Sequence, residues 1–445
     1  QEHRGIASFI KSTIKILSKY GAEVYLITSF DYHEKLKHKN DQALENIFVN
    51  EINNFLSVGR EYRQLFYSNT KYKFKLLLAL SFNLFKLFKD NFLLKYKFYK
   101  VNKDFKYKNN LNDRTIYLLN IKGFISIKNI FHLCRLRSMR FMFKDPILNI
   151  NKKEIDLIIS SSPLSLKKKG SKSANVIQII HDAIPIQMSN HPERSWIFFN
   201  RLKDAHKNSE CLYVSKESRK IVKNILKIKY PKNNRNEIIY PMPSLKIELL
   251  EKAFKIPSIR SIEKSFILFN SSIVSTKKVE NAINYFSKSN LPRRDFLLCI
   301  AGKMHKSEYC NYIKDLCKNH NNILLLDYVS ETEKAWLFLN SSLLISTSSI
   351  EGFGIPILDA LSLNLSSLGT LIPSYQEIKN LTKKNKITLV KQNKPSKWVD
   401  KLNSLSKFDI KNKNYKRQRI NNFKIFENNL EKNFLLKIGE HISNN

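Results

Sequence analysis

The sequence is poor in glycine, cysteine, acidic residues and long apolar runs. It has 10 Gly in 445 residues, whereas average usage of about 7% would give about 31. Each glycine is therefore informative about a tight turn or a close approach of two backbones. The five cysteines are odd in number and include no Cys-x-x-Cys pair, which excludes a disulfide framework and a cysteine zinc site. A reducing cytoplasm is the expected compartment.

No apolar run is long enough to cross a bilayer. The main lysine-free apolar stretch, residues 76–85, is about half as long as a membrane-spanning helix must be. No secretory signal opens the chain, so we do not expect an integral membrane protein. The sequence starts at Gln1, directly before a helix-like segment, and we expect an initial strand to precede that helix.

Acidic residues are outnumbered two to one by basic ones. Counts of 77 Lys and Arg against 38 Asp and Glu give a net charge of +39. Such an excess favours a counter-charged partner, which could be nucleic acid, anionic lipid or a phosphorylated small molecule. Only 16 of the 77 cations are Arg, and the Lys excess occurs with many Asn and Ile. This pattern is typical of A/T-rich codons, so we attribute much of the charge to composition.

What is present is the composition of a folded protein, with 42% hydrophobic and 26% charged residues over a length that suits two or three domains. In the second half, short apolar runs alternate with helix-like segments. Strands are predicted at 266–269, 296–301, 323–326, 343–346, 366–369 and 387–390, and helices at 279–288, 307–317, 331–339, 355–361 and 373–380. Buried strands that alternate with helices imply a parallel sheet.

The first half shows the same alternation with an interruption. Strands are predicted at 22–28, 155–160, 174–180, 211–215 and 237–240, and helices at 6–20, 193–208 and 216–228. The Lys-rich, aromatic stretch from about 33 to 150 is interpreted as a helical insertion. Residues 241–263, with Pro243 and Pro257, are interpreted as a linker.

These patterns together predict the domain organisation. We expect an α/β protein of two doubly wound Rossmann-like domains facing across a cleft, with the helical Lys-rich insertion in the first. The predicted domains are 1–240 and 264–414, joined by the 241–263 linker. Residues 415–445 are predicted to form a C-terminal helix that packs back on the first domain.

The strongest chemical signal follows the predicted strand 343–346. Glu351-Gly352-Phe353-Gly354 places two glycines two residues apart, directly before a predicted helix with proline in its first turn. Such a turn exposes backbone N–H groups at the positive end of a helix, which suits a phosphate or sugar oxygen. Glu351 and Asp359 could bind the hydroxyl pairs of a sugar or ribose. An ordinary strand–turn–helix with a capping acid is the alternative.

This block resembles the Glu-x7-Glu segment of the family 4 retaining glycosyltransferases, whose fold is called GT-B. Six further segments resemble that family in order and spacing: His3-Arg4-Gly5-Ile6, Ile180-His181-Asp182, Val214-Ser215-Lys-Glu-Ser218, Ser272 to Lys278, Ala301-Gly302-Lys303 and Gly369 to Glu377. Together the seven segments lie in roughly 1–30, 155–240 and 265–390, which is more than half of the chain.

The resemblance implies a role for each matching residue. The catalytic residues would be His181, which hydrogen-bonds the transferred sugar, Glu351, which holds it, and Lys277, which neutralises the diphosphate leaving group. The donor-binding residues would be Gly5, Ser272, Lys278, Gly352, Phe353, Gly354 and Asp359. Asp359 stands where most members have Glu. Taken singly, His181 could equally be a structural histidine and Lys277 a solvated lysine.

The implied function is a cytoplasmic, retaining glycosyltransferase that moves a sugar from a nucleotide diphosphate sugar to a glycan or lipid-linked acceptor. Mannose is the sugar suggested, and cell-surface polysaccharide or glycolipid synthesis the process. No cofactor and no metal are expected, because no Asp-x-Asp motif lies near the expected diphosphate site. The alternative is a catalytically impaired scaffold of the same fold that binds a membrane or protein partner.

Residues 71–100 carry eight Lys and one Asp among Phe, Tyr and Leu. An amphipathic helix on the anionic inner face of the cytoplasmic membrane and a buried helix with snorkelling lysines both fit this pattern. Nucleic acid is not an expected partner, because no zinc finger, RNP-like segment or recognition helix accompanies the charge.

Overall fold

The computed structural model describes residues 4–29, 92–101, 116–188, 193–227, 237–304, 307–381, 386–406 and 412–443. These residues form a mixed α/β protein in which nearly all strand pairs are parallel, and this confirms the predicted fold class. Most of the predicted insertion, including Lys86 and Lys89, lies outside the described residues.

In its described residues, the first half builds three sheets of three strands each. The strands are β1 Tyr25–Thr28, β2 Leu93–Leu94, β3 Tyr96–Lys100, β4 Gly123–Ile127, β5 Ile147–Leu148, β6 Leu157–Ser160, β7 Lys167–Lys168, β8 Asn175–Ile180 and β9 Glu210–Tyr213. The β6-β8-β9 sheet is parallel and carries His181 directly after β8. Within the described residues, the strands of the first half are therefore hydrogen-bonded in three separate sets.

Five α-helices accompany these strands in the described part of the first half. They are α1 Arg4–Lys19, α2 Ile130–Ser138, α3 Ile184–Gln187, α4 Ser195–Asn208 and α5 Lys216–Leu226, with a 3-10 turn at Ile116–Asn120. The α1 helix buries Phe9 and Ile16 in the same apolar cluster as Ile179 of β8. The predicted strand 237–240 is reduced to one bridge between Tyr213 and Ile238.

The helical interpretation of residues 33–150 requires a correction where the structure describes them. Residues 96–100 form a strand that pairs antiparallel with β4, and every residue of β4 is buried. A long-range partner with a buried strand overrides the local helix-like pattern. A Cβ on Gly123 would lie 2.1 Å from the Tyr99 carbonyl oxygen, so glycine permits this close pairing.

The second half is one sheet of six parallel strands in the order β12-β11-β10-β13-β14-β15. The strands are β10 Phe266–Asn270, β11 Leu297–Ala301, β12 Ile323–Asp327, β13 Leu343–Ser346, β14 Ser367–Thr370 and β15 Ile387–Val390. This is the doubly wound order, in which the direction of winding reverses between β10 and β13. All six strands were predicted within one residue of these bounds.

The helices of the second half cover both faces of this sheet. They are α6 Ile247–Phe254, α7 Val279–Lys288, α8 Glu308–Lys318, α9 Glu331–Asn340, α10 Ile355–Ser362, α11 Pro373–Lys379, α12 Pro395–Asn403 and α13 Lys413–Ser443. Sequence patterns predicted α7 to α11 within one residue. They did not predict α6 inside the proposed linker, where Leu250 and Ala253 are fully buried.

The C-terminal helix α13 contacts both halves. Phe434 lies 6.2 Å from the Phe9 ring of α1, and Lys19 of α1 donates to Glu431 at 2.6 Å. Arg419 donates to three carbonyl groups at the end of α9, those of Phe338, Leu339 and Ser341. The exact domain boundaries stay a prediction, but one apolar cluster includes residues of α1, β8, α10 and α13.

Candidate active site

Two loops meet at the point where the winding of the second sheet reverses. One follows β10 and contains the 3-10 turn Ser275–Lys277, and the other follows β13 and leads into α10. In doubly wound sheets, ligands bind in the crevice outside the carboxyl ends of the strands at this position. The segments Ser272 to Lys278 and Glu351 to Gly354, both predicted to contact the donor, therefore lie at the same edge of the second-half sheet.

Lys277 and Glu351 form an ion pair across these loops. Lys277 Nζ lies 2.5 Å from Glu351 Oε1, and the two side chains are 17% and 12% exposed. Glu351 Oε1 also accepts hydrogen bonds from Ser348 Oγ at 2.8 Å and from the Tyr375 hydroxyl at 3.4 Å. The carboxylate is thus held by three donors, one of which is the Lys277 ammonium group, in a partly enclosed position.

The backbones of the two loops are joined by hydrogen bonds. Thr347 Oγ1 donates to the carbonyl oxygens of Lys277 and Lys278 at 3.0 and 2.7 Å. The Ser349 N–H donates to the Thr276 carbonyl oxygen at 2.9 Å. Because these bonds fix the spacing of the loops, the charged side chains are positioned before any ligand binds.

Tyr375 is a site residue that the sequence analysis did not assign. It is fully buried, and its hydroxyl lies 2.6 Å from Ser346 Oγ at the end of β13. Burial, followed by the charge of Glu351, raises the pKa of the Tyr375 hydroxyl well above its usual value. Tyr375 therefore remains a protonated donor toward Glu351. The sequence around Tyr375, five residues after the end of β14, carried no signal that this side chain would be buried.

Gly354 is required by two constraints. Its φ is 107°, in the region that favours glycine, and a Cβ at this position would lie 2.5 Å from Tyr375 Cε1. Gly354 is also the residue directly before α10. The prediction that this glycine permits a tight strand-to-helix turn is therefore confirmed by the backbone, whereas contact with a donor stays a prediction.

Residues of the first half reach the same loop. A Cβ on Gly352 would lie 2.9 Å from Asp182 Cβ, so the 351–354 turn packs directly against the residues that follow β8. His181, in this segment, makes an edge-to-face contact with Phe9 at 5.3 Å between ring centroids. The structure thus brings His181, Glu351 and Lys277 to one region between the halves.

Ser215 and Ser218, at the start of α5, both lie within hydrogen-bond distance of the Gly352 carbonyl oxygen in the other half. Ser215 caps α5 by accepting the Ser218 N–H at 3.0 Å. Ser215 Oγ also donates to the Gly352 carbonyl oxygen at 3.1 Å, and Ser218 Oγ donates to that of His181 at 2.9 Å. Sequence resemblance placed these serines in a family motif but gave them no role.

Asp359 is not where the ribose contact was expected. The side chain is fully buried and accepts from the Ser244 N–H at 2.6 Å and Oγ at 2.5 Å, and from the Leu245 N–H at 3.3 Å. Lys334 Nζ lies 3.5 Å from it. Burial raises the pKa of Asp359, and the Lys334 charge offsets that effect only in part. In this geometry Asp359 holds the chain before α6 and does not face a ligand.

The remaining predicted donor residues have different surroundings. Gly5 lies in the first turn of α1 and not in a loop, because the helix begins at Arg4. Lys278 is half-exposed with a φ of 49°, directly before α7. Phe353 is buried 5.7 Å from the Tyr240 ring. Ser272 lies in the β10 loop, where a Cβ on Gly302 would lie 1.6 Å from the neighbouring Ser271 carbonyl oxygen.

The sequence of the second half matches the model of a known family. Residues 252–422 match the model of the family described as Glycosyl transferases group 1. This region is similar to the group 1 glycosyltransferases over that length. It contains Lys277, Glu351, Tyr375 and Asp359, and hence the whole part of the candidate site that the second half contributes. Membership in family 4 specifically stays a prediction.

The solved structures that resemble this chain share little sequence identity with it. A sucrose-phosphate synthase from Thermosynechococcus elongatus is 11% identical over 61% of this chain and 67% of its own, with a TM-score of 0.45. TarM is 14% identical over 74% of this chain and 60% of its own, with a TM-score of 0.42. An α,α-trehalose 6-phosphate synthase from Burkholderia multivorans is 8% identical over 71% and 83%, with a TM-score of 0.49. A comparison with curated proteins finds no match.

The described residues of both halves hold no cluster of three His, Cys, Asp or Glu side chains arranged for a metal ion. All five cysteines are buried and unbridged. Among the described helices, none combines the length and the apolar character that crossing a membrane requires.

Proposed function

We propose that the protein is a retaining glycosyltransferase that moves a sugar from a nucleotide diphosphate sugar to an acceptor hydroxyl. The observation that supports this is the Lys277–Glu351 pair at the switch point of the second sheet, inside a group 1 glycosyltransferase region. A fixed cation and the N-terminal end of α10 both favour the negative charge that builds up on a departing diphosphate.

The chain's own residues suggest how the site would work. Lys277 would exchange its contact with Glu351 for a diphosphate oxygen, with Lys278 beside it. Glu351 would then accept a hydrogen bond from a sugar hydroxyl, while Tyr375 continues to donate to it. His181 would contact the sugar from the first half. Such catalysis consists of positioning and electrostatics, and we expect no divalent metal requirement.

The more specific parts of this proposal rest on the resemblance of the sequence motifs to those of the family 4 glycosyltransferases. They are transfer with retention at the anomeric carbon, mannose as the sugar, and a glycan or lipid-linked acceptor of cell-surface polysaccharide or glycolipid synthesis. In this proposal the cytoplasm supplies the donor.

The deciding experiment is a screen of UDP-, GDP- and ADP-sugars for hydrolysis or transfer, repeated with excess EDTA. We expect turnover with one nucleotide class, at a rate that EDTA does not reduce. The anomeric carbon of the transferred sugar should have the same configuration in the product as in the donor. An inverted product would refute retention. Absence of turnover with every donor would favour the alternative, a scaffold that retains the fold without catalysis.

Replacing the charged pair should separate catalysis from stability. Lys277→Ala and Glu351→Gln are each expected to lower transfer at least a hundredfold, because each removes a group that stabilises charge at the reacting centre. Because breaking a largely buried ion pair also costs stability, transfer is compared at a temperature where circular dichroism shows each variant fully folded. Lys264→Ala is the matched control, since Lys264 forms an exposed pair with Asp295 at 2.7 Å. Near-normal turnover in both site variants would overturn the roles assigned here.

We also propose that an anionic membrane surface is a partner of the first half. Phe141 and Phe143 are 66% and 88% exposed on either side of buried Met142. Residues 128–144 contain five Lys or Arg, of which Arg137 and Arg140 are paired with Asp145 and Asp204. Exposed aromatic rings beside cations are suited to the interface of an anionic bilayer, and a lipid-linked acceptor would be presented there.

Vesicle cosedimentation tests this partner. Binding to anionic vesicles is expected to exceed binding to neutral ones and to weaken in high salt, because attraction decays over a Debye length of about 8 Å at physiological ionic strength. The double variant Phe141→Ser/Phe143→Ser should bind several-fold less. Tyr312→Ser, at an exposed tyrosine of the second half, is the control. Equal binding to neutral vesicles would contradict the proposal.

A further inference from the structure

One carboxylate of the second half is bound to the helix N-terminus of the first. Glu377 lies in α11, and its two oxygens accept the N–H of Lys216 at 2.8 and 2.9 Å. Lys216 is the first residue of α5, the helix that Ser215 caps. A carboxylate at a helix N-terminus interacts favourably with the helix dipole and with an N–H that has no partner in its own helix. Glu377 thus supplies α5 with a second cap from the opposite half.

This contact lies beside the candidate active site. Ser215, next to Lys216, donates to the Gly352 carbonyl oxygen, and Gly352 follows Glu351 directly. The contacts from Glu377 through Lys216 and Ser215 therefore end at the residue that follows Glu351 in the chain. The 351–354 turn is held against the segment after β8 in the same arrangement.

The contact is also accessible to solvent. A cavity of about 280 Å³ opens between α5 and α11, and its lining includes Lys216, Lys220, Tyr240, Glu377 and Asn380. Burial raises the pKa of Tyr240, and the nearby charge of Glu377 raises it further. The tyrosine therefore stays protonated beside the carboxylate. Because water reaches the Glu377–Lys216 bond, the bond can break and re-form without unfolding either half.

We propose that Glu377 is a positioning residue that latches the two halves in the closed arrangement and thereby sets the position of the Glu351 turn. In the closed state, His181 and Gly352 are brought together. Without the latch, a smaller fraction of molecules is closed, and the apparent affinity for donor falls by that fraction. The kinetic part of this inference rests on the proposed function, whereas the latch itself does not.

Two substitutions remove the latch from opposite sides. Glu377→Leu removes both acceptor oxygens while keeping a side chain of similar size, whereas glutamine would retain an amide oxygen that can still accept the N–H. Lys216→Pro removes the N–H together with the lysine side chain, and proline is tolerated here because it is favoured in the first helical position and Ser215 already has the extended conformation, φ −154° and ψ 155°, that precedes proline. Lys216→Ala, which removes the same side chain but retains the N–H, and Glu217→Leu, on the rim of the same cavity, are the matched controls.

The first measurement needs no donor. Hydrogen exchange in the first turn of α5 and the radius of gyration from solution scattering should both increase in Glu377→Leu and in Lys216→Pro. They should remain unchanged in the two controls. Wild-type values in both latch variants, or increases that the controls share, would overturn the latch. Circular dichroism confirms that each variant folds.

The second measurement uses kinetics. With an active donor, each latch variant is expected to raise KM about tenfold with kcat within about twofold, and the double variant should be no worse than either single variant because one bond is broken in all three. Multiplied effects, or a lower melting temperature without a change of KM, would contradict the positioning role. If no donor turns over in the wild type while exchange and scattering respond as expected, the proposed function fails and the latch remains.

Discussion

At the scale of single residues, the site depends on positions where only one side chain fits. Tyr375 packs against Gly354 and donates toward Glu351, so the glycine, the tyrosine and the acid form one unit. The sequence identified the glycine and the acid because the chain has so few glycines and because the motif resembles a known family. It did not identify the tyrosine, since its partner is set by the packing of α11 against the end of β13.

Gly354→Ala is expected to destabilise the protein by about 2–5 kcal/mol. The added methyl group must tolerate a positive φ and displace the Tyr375 ring, costs of roughly 1–2 and 1–3 kcal/mol respectively. Denaturant unfolding measures the change. Gly439→Ala in α13 is the matched control, because a Cβ there meets nothing within 4 Å, and it should stabilise by about 0.5–1 kcal/mol. Equal effects at both sites would contradict the steric account.

At the scale of elements, helices connect the two halves more extensively than a linker would. The α6 helix, in the segment predicted to be a linker, packs in the core of the second half, and the chain before it is held by Asp359 of α10. The prediction placed Asp359 toward the cleft because the motif spacing resembles the family pattern. Burial of a carboxylate is decided by a partner 115 positions away in the sequence, and no local pattern contains that information.

Asp359→Ala tests the structural role. It leaves the Ser244 and Leu245 N–H groups and the Lys334 ammonium without their acceptor, so we expect a loss of about 3–5 kcal/mol of unfolding free energy. Asp315→Ala, which removes an exposed pair with Lys318, should cost less than about 0.5 kcal/mol. If Asp359→Ala instead retained stability and raised KM for the donor alone, the ribose contact would be restored as its role.

At the scale of the whole molecule, α13 and α1 form a support behind the site. Phe434 contacts Phe9, and Phe9 contacts His181, so the C-terminal helix reaches the site through one intervening ring. Both phenylalanines are buried. The position of His181 therefore depends on a residue more than two hundred positions further along the chain.

Phe434→Ala is expected to cost about 3–5 kcal/mol of stability by leaving a cavity beside Phe9. Transfer should also fall under conditions where the variant is fully folded, because the ring beside His181 loses its support. Leu436→Ala, at an exposed position on the same helix, is the control and should be nearly neutral. Full activity in folded Phe434→Ala would show that α13 stabilises the fold without supporting the site.

The sequence by itself determined the parallel sheet of the second half, because buried strands and amphipathic helices carry local periodicities that survive without their partners. It also determined the glycine turn and its acid, which a local motif contains. The tertiary structure alone decided that 96–100 is a strand, that Asp359 is buried, that Tyr375 donates toward Glu351, and that Glu377 accepts the first N–H of α5. Each of these outcomes is fixed by a contact between residues far apart in the chain, and such contacts exist only after folding.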